Sequence, residues 1–163
     1  NENCDSSKII INSKIKNNKY YLTIKDNGCG MSKEFLQTVK DPFSTTRTTR
    51  KVGMGISLFE AAAVQCGGKL DITSEVGVGT TLTTTFELDS IDRAPLGDMA
   101  GTMVTLISGS PSIDFMYKHT KDNKEFVIDT REVRQILGEV TLDMPDVLMW
   151  IEGYINEGLI EIN

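Results

Sequence analysis

The stretch Asp26-Asn27-Gly28-Cys29-Gly30-Met31 decides how this chain is read, because of what stands on either side of it. Upstream, Lys8 to Lys16 alternates with Ile9, Ile11 and Ile15 on one face. Asn17-Asn18 offers a two-residue turn, since Asn tolerates positive φ, and Tyr20, Leu22 and Ile24 alternate again. This is a β-hairpin, so Asp26 stands at the end of a strand and the glycines form the loop after it. Downstream, Ser32 can cap a short helix carrying Phe35, Leu36 and Val39, which Asp41-Pro42 breaks. Ser44 to Val52 is polar and basic without periodicity and reads as a loop. Ile56, Phe59, Ala63 and Cys66 recur at helical spacing, and Gly67-Gly68 supplies the stop. Leu70 to Ser74 is a strand, Glu75 to Gly79 a Gly-rich turn, and Thr81 to Leu88 a strand with Leu82, Thr84 and Phe86 on one face. The threonine run suits a strand by propensity.

Asp89 to Gly97, with Pro95, reads as a linker. The chain thus divides into a main domain, residues 1–90, and a small α+β extension, residues 91–163. In the extension Asp98 can cap a helix through Met99, Met103, Leu106 and Ile107. Ile113, Phe115 and Tyr117, then Phe126 and Ile128, form a second hairpin joined at Lys121 to Asn123. Asp129 with Glu132 resembles a capping box before Val133, Ile136 and Leu137. A last helix is expected from Met144 to Glu157, with Pro145 in its first turn and Gly158 ending it. His119, the single histidine, is expected on the strand surface, and Trp150 in packing.

Three stretches carry chemistry, and their order matters as much as their content. A carboxylate at Asp26 can accept a hydrogen bond from an exocyclic amine. Adenine offers that amine, and guanine does not offer it at the same place. Gly28 and Gly30 let backbone pass a flat base without Cβ clashes. Gly53-Met54-Gly55 exposes backbone N–H groups at a helix start, a ready anion site, after a loop bearing Arg47, Arg50 and Lys51. In Gly77-Val78-Gly79-Thr80, the Thr80 hydroxyl can support Asp26 or a bridging water. Each piece alone is common: Asp-Asn-Gly is ordinarily just a turn, and a lone Gly-x-Gly before a helix is ordinary too. Their joint appearance in this order is harder to dismiss.

Bulk properties agree with such a reading. A chain of 163 residues can bury a core without disulfides or metals. The net charge of −6 counts against nucleic acid as a partner. It does not count against phosphates, which are held by local backbone donors. No apolar run approaches a membrane span, and Asn1 to Lys8 does not resemble a signal peptide. Cys4, Cys29 and Cys66 are an odd set without Cys-x-x-Cys spacing, read as reduced thiols or plain small apolar side chains of a cytoplasmic protein.

On these motifs the chain resembles the GHKL superfamily of DNA gyrase, ninety-kilodalton heat-shock chaperones, histidine kinases and MutL, the histidine-kinase-like ATPases. Asp26-x-Gly28-x-Gly30 is similar to its first glycine box. Asp41-Pro42-Phe43-Ser44-Thr45-Thr46-Arg47 looks like the start of a kinase ATP lid, and Gly53-Met54-Gly55-Ile56-Ser57 like the second glycine box. Gly77-Val78-Gly79-Thr80-Thr81-Leu82 looks like the last box. The resemblance covers residues 1 to 88 and looks closest to small bacterial ATPase-domain proteins. It implies an α+β fold, a two-layer α/β sandwich whose mixed, mostly antiparallel sheet carries helices on one face. It further implies that ATP or ADP binds with Mg2+. Asp26 would take the adenine amine, Gly28, Gly30 and Met31 would line the base, and Thr80 would sit near it. The lid residues Thr46, Arg47, Arg50 and Lys51, with Gly53, Met54, Gly55 and Ile56, would face the phosphates.

The pattern departs from the family twice. Lys51 stands where the second box usually has its first Gly. The family's asparagine box, whose Asn holds Mg2+, would lie upstream of or near Asn1, so the chain is expected to be a fragment with weak or absent catalysis. Three functions stay open on the sequence: a nucleotide-dependent regulatory or ATPase module contacting a protein partner through residues 91–163, the catalytic domain of a histidine or serine kinase, and an interaction module without nucleotide.

Overall fold

The computed structural model describes residues 6–39 and 53–163. Six strands form one mixed sheet: β1 (Lys8–Lys16), β2 (Lys19–Asp26), β3 (Lys69–Glu75), β4 (Gly79–Glu87), β5 (Asp114–Lys121) and β6 (Lys124–Asp129). Their order across the sheet is β3-β4-β2-β1-β5-β6. All pairs are antiparallel except β1 with β5. The helices are α1 (Lys33–Val39), α2 (Gly53–Gln65), α3 (Met99–Gly109), α4 (Thr130–Leu137) and α5 (Pro145–Ile162). This is the expected α+β class.

The first hairpin turns on Asn17 and Asn18, both at positive φ (52° and 58°), as a tight turn matched to strand twist requires. Period-two alternation then builds the two layers. Ile72, Leu82, Ile24, Ile11, Tyr117 and Ile128 stand in one row across all six strands. That face is the one the helices cover. The opposite face carries Lys14, Thr23, Thr83, Asp71 and Lys118, with the Thr23 and Thr83 hydroxyls 3.4 Å apart. Asp98 caps α3 by accepting from the Gly101 amide at 2.8 Å. Asp129 caps α4 by accepting from the Arg131 amide at 3.0 Å.

The extension expected at 91–163 contributes strands to the same sheet as the main domain. After α3 the chain returns alongside β1, so β5 continues the sheet beyond the first hairpin. Two local expectations, the end of α5 and the surface place of His119, are corrected. Helix α5 does not end at Gly158 but runs on to Ile162. Gly158 is needed there because a Cβ would fall 2.1 Å from the Phe126 ring. Trp150 is half exposed and stacks on Tyr154, with ring centroids 5.3 Å apart and planes 13° apart. His119 is not on the surface: it is fully buried, because its register row (Ser13, Leu22, Thr84) faces the helices. Its Nδ1 lies 2.8 Å from Ser13 Oγ, which also donates to Tyr20 OH at 3.2 Å. Burial, with Lys121 adding to it, holds the His119 pKa below the ordinary histidine value. Burial likewise pushes the Tyr117 phenol up. Among the described residues, His119 Nε2, Tyr117 OH and Thr84 Oγ1 are buried without a partner.

Candidate nucleotide site

Asp26 closes β2 on the helix-covered face, and its Oδ1 accepts the Gly28 amide at 2.8 Å. This local turn fixes the carboxylate in place, and among the described residues no donor meets Oδ2. Asn27 anchors the loop to the start of β1. Its Oδ1 accepts from Ser6 Oγ, Ser7 N and Lys8 N at 3.1, 3.0 and 2.9 Å, and its Nδ2 donates to Ser7 Oγ at 2.8 Å.

The first glycine loop and the β3–β4 turn close on each other at two points where no side chain fits. Gly30 has φ +67°, and a Cβ there would fall 1.9 Å from the Glu75 carbonyl oxygen. Gly79 has φ +130°, and its Cβ would fall 2.1 Å from the Asp26 carbonyl oxygen. Glycine relieves both the torsional and the steric demand. The Gly77 amide adds a hydrogen bond to the Cys29 carbonyl at 2.7 Å.

Ser74 ties the pieces together. Its hydroxyl accepts the Met31 amide at 2.8 Å, donates to the Gly79 carbonyl at 3.0 Å, and lies 3.0 Å from Thr80 Oγ1. Ser74 and Thr80 are register partners on β3 and β4. Thr80 stands one step beyond Thr81, the partner of Lys25, so it lies across the strand pair from Asp26. Period-two alternation puts Ser74, Thr80 and Asp26 on one face. Below this row, Met31, Leu36, Ile56, Phe59 and Leu82 pack around buried Val39, Leu70 and Ile72. This gives an apolar wall beside a polar row. A cleft of about 650 Å³ opens beside it, lined by Gly55, Ile56, Leu58, Phe59, Ala62 and Leu82. A second hollow of about 370 Å³ lies further along α2, with Tyr20, Phe59, Phe86, Arg93 and Met99 in its walls.

Of the residues expected from sequence, Asp26, Gly28, Gly30, Met31, Ile56 and Thr80 gather at this end of the sheet. Gly53, Met54 and Gly55 form the first turn of α2. A Cβ on Gly55 would meet nothing within 4 Å. Thr46, Arg47, Arg50 and Lys51 lie outside the described residues. So does the region of Asn1 where the magnesium ligand was expected. Among the described residues, no three His, Cys, Asp or Glu side chains gather as a metal site. Cys29 is exposed and Cys66 buried, and both are free thiols. Ser74 and Asn27 are the two site residues that sequence reasoning missed. Ser74 reads as the last residue of an ordinary strand, and Asn27 as a turn filler. The one usable signal for Ser74 was its alternation with Leu70 and Ile72, which faces it toward the helices.

Residues 1–90 match the model of the histidine kinase-, DNA gyrase B- and HSP90-like ATPase family. The chain belongs to that family. A sensor protein of Shewanella frigidimarina is 36% identical over 85 residues, 52% of this chain and 13% of that protein. Sensor protein SrrB of Staphylococcus aureus is 43% identical over 65 residues, 37% of this chain and 11% of its own length. The chain therefore matches only a small part of these sensor proteins. Among solved structures, the catalytic domain of histidine kinase ThkA matches with a TM-score of 0.42 at 22% identity, over 52% of this chain and 55% of that one. The N-terminal domain of a DNA repair protein matches with a TM-score of 0.49 at 13% identity, over 76% and 46%. No helix among the described residues is long and apolar enough to cross a membrane.

Proposed function

We propose that this end of the sheet binds an adenine nucleotide, ATP or ADP, and that the chain is the nucleotide-dependent module of a regulatory or ATPase protein. The observation that carries the reading is Asp26: a half-buried carboxylate, one oxygen fixed by the Gly28 amide and the other without a donor among the described residues. It sits beside an apolar wall suited to a flat base. The exocyclic amine of adenine would donate to Asp26, and Met31, Ile56 and Leu82 would support the ring. The start of α2, with the preceding Arg47, Arg50 and Lys51, would face the phosphates, where helix N–H groups favour negative charge. Magnesium, when bound, would neutralise phosphate charge. Among the described residues, no three His, Cys, Asp or Glu side chains gather to hold it.

Equilibrium titration with ADP and ATP tests the reading. A hydrogen bond to a charged group is worth roughly 1.5–3 kcal/mol, so Asp26→Asn should weaken ADP by about 10- to 150-fold. Equal affinity in wild type and variant would contradict it.

The sensor-protein relatives favour a second reading, phosphotransfer from ATP to a side chain of a partner. Incubating the chain and partner with γ-labelled ATP separates the two, since label moves to the partner only in the second. In either case we place the protein contact on 91–163. There Met149, Trp150 and Tyr154 are exposed on α5, and apolar surface of this kind marks contact sites.

A further inference from the structure

We infer that Ser74 is a positioning residue that sets the hydrogen-bond polarity of Thr80, and through it the preference for a 6-amino over a 6-oxo purine. The inference rests on the adenine-nucleotide reading above.

A serine hydroxyl has one proton to give and two lone pairs to receive with. At Ser74 one partner cannot change role: the Met31 backbone N–H only donates, at 2.8 Å. A second is equally fixed: the Gly79 carbonyl only accepts, at 3.0 Å. Once Ser74 gives its proton to Gly79, the Thr80 hydroxyl at 3.0 Å satisfies Ser74 only by donating to it. In that arrangement all four groups are paired. The alternative, with Ser74 donating to Thr80, gives up the bond to the Gly79 carbonyl, so this network makes one hydrogen bond fewer. The backbone on both sides therefore drives the Thr80 proton inward.

The consequence faces the ligand. With its proton turned toward Ser74, Thr80 offers only lone pairs to the site. Asp26, across the strand pair, is also an acceptor. Two acceptors side by side want a donor, and the amine of adenine is one. The carbonyl of inosine or guanine at the same ring position is an acceptor and meets lone pairs there, leaving the neighbouring N1–H as the one donor beside it. Rejection by a mismatched buried polar group is a stronger filter than shape. Removing the Ser74 hydroxyl frees Thr80 to rotate and donate outward. This weakens the adenine contact and relieves the clash with a 6-oxo purine at once.

The test compares ADP with IDP, which differ in the group at that ring position and in the proton on N1, by titration of the chain and its Ser74→Ala, Ser74→Cys and Ser74→Thr variants, each checked for folding by circular dichroism. Wild type should prefer ADP. In Ser74→Ala the ADP/IDP preference should fall by about tenfold, the worth of roughly one hydrogen bond. Ser74→Cys keeps the volume with a poor hydrogen-bonding group and should do the same if Ser74→Ala folds badly. Ser74→Thr keeps the hydroxyl and should restore the preference. A folded Ser74→Ala or Ser74→Cys that loses ADP and IDP by the same factor, or neither, overturns the inference and leaves the nucleotide reading standing. A wild type that binds neither nucleotide, or both equally, overturns the nucleotide reading and this inference with it.

Discussion

The two ends of the sheet are covered in different ways. Over β1, β5 and β6, helices α3 and α5 bring Ala100, Met103, Ile107, Ile151 and Ile155 onto Phe115, Tyr117 and Ile128. Together they form one continuous cluster in which many side chains have no exposure at all. Over β3, β4 and the start of β2, helices α1 and α2 produce two small clusters among the described residues, Tyr20 with Ala63, Cys66 and Phe86, and Val39 with Leu70 and Ile72. Hollows of about 370 and 650 Å³ border that second end. The polar row of Asp26, Ser74 and Thr80 lies there, tied by hydrogen bonds and glycine contacts rather than by packing. Among the described residues, a continuous core at one end and a less densely covered, hydrogen-bonded rim at the other is a workable division for a binding protein. Sites that must admit a ligand are drawn from the less stable parts of a fold.

The largest expected effect breaks the well-packed end. Ile155→Ala removes a side chain of 0% exposure from the continuous cluster. It should cost about 2–5 kcal/mol in denaturant unfolding while leaving the ADP affinity of the folded fraction within about twofold. Ile72→Ala, in the small cluster, should lie at the low end of that range, because the nearby hollows let the site relax, and should weaken ADP as well. The opposite ranking would mean that the two ends do not differ in the way described.

Gly79→Ala sharpens the contrast at the rim. It forces φ +130° on an L residue and drives a Cβ toward the Asp26 carbonyl. Strain of this kind costs of order 1–3 kcal/mol, and the shift of Asp26 should reduce ADP binding further. Gly153→Ala on α5 is the control. A Cβ there meets nothing within 4 Å, and replacing a helix-interior Gly should stabilise by about 0.5–1 kcal/mol. Melting curves and ADP titrations on both variants check this pair.

The smallest effect comes from His119, on β5 at the well-packed end. Burial lowers its pKa in the folded state, so the unfolded chain binds its proton first as pH falls. The stability from the buried neutral ring is fully present above the ordinary histidine pKa of about 6.5. It is lost as pH falls from there toward the lowered folded value, at no more than about 1.4 kcal/mol per pH unit. Since this is the single histidine, His119→Gln should flatten the stability profile just below neutrality. Parallel profiles for the two proteins would remove His119 from the account.

What the sequence made legible was local. The hairpin at Asn17-Asn18, the caps at Ser32, Asp98 and Asp129, and the glycine loop after β2 are each written in neighbouring residues. Long-range partners were not. Alternation at Ile113, Phe115 and Tyr117 announces a strand. It does not say that the strand lies parallel to β1, and so it did not reveal that His119 is buried. The end of α5 was misplaced because Gly158 looks like a stop, whereas its reason is the Phe126 ring from a distant strand. Ser74 was invisible for the same cause: its importance is the sum of partners at Met31, Gly79 and Thr80, brought together only by the fold. The roles expected for Thr46, Arg47, Arg50 and Lys51 fall outside the described residues and stay as proposals.

Hydrogen exchange of the chain, with and without saturating ADP, tests the central claim most directly, because it reports where the ligand acts. The account predicts slower exchange at the amides of Gly28 to Met31, at Ser74 through Thr80 and at the start of α2, with α5 unchanged. Protection gained only within 91–163, or no change at any amide under saturating ADP, would contradict it.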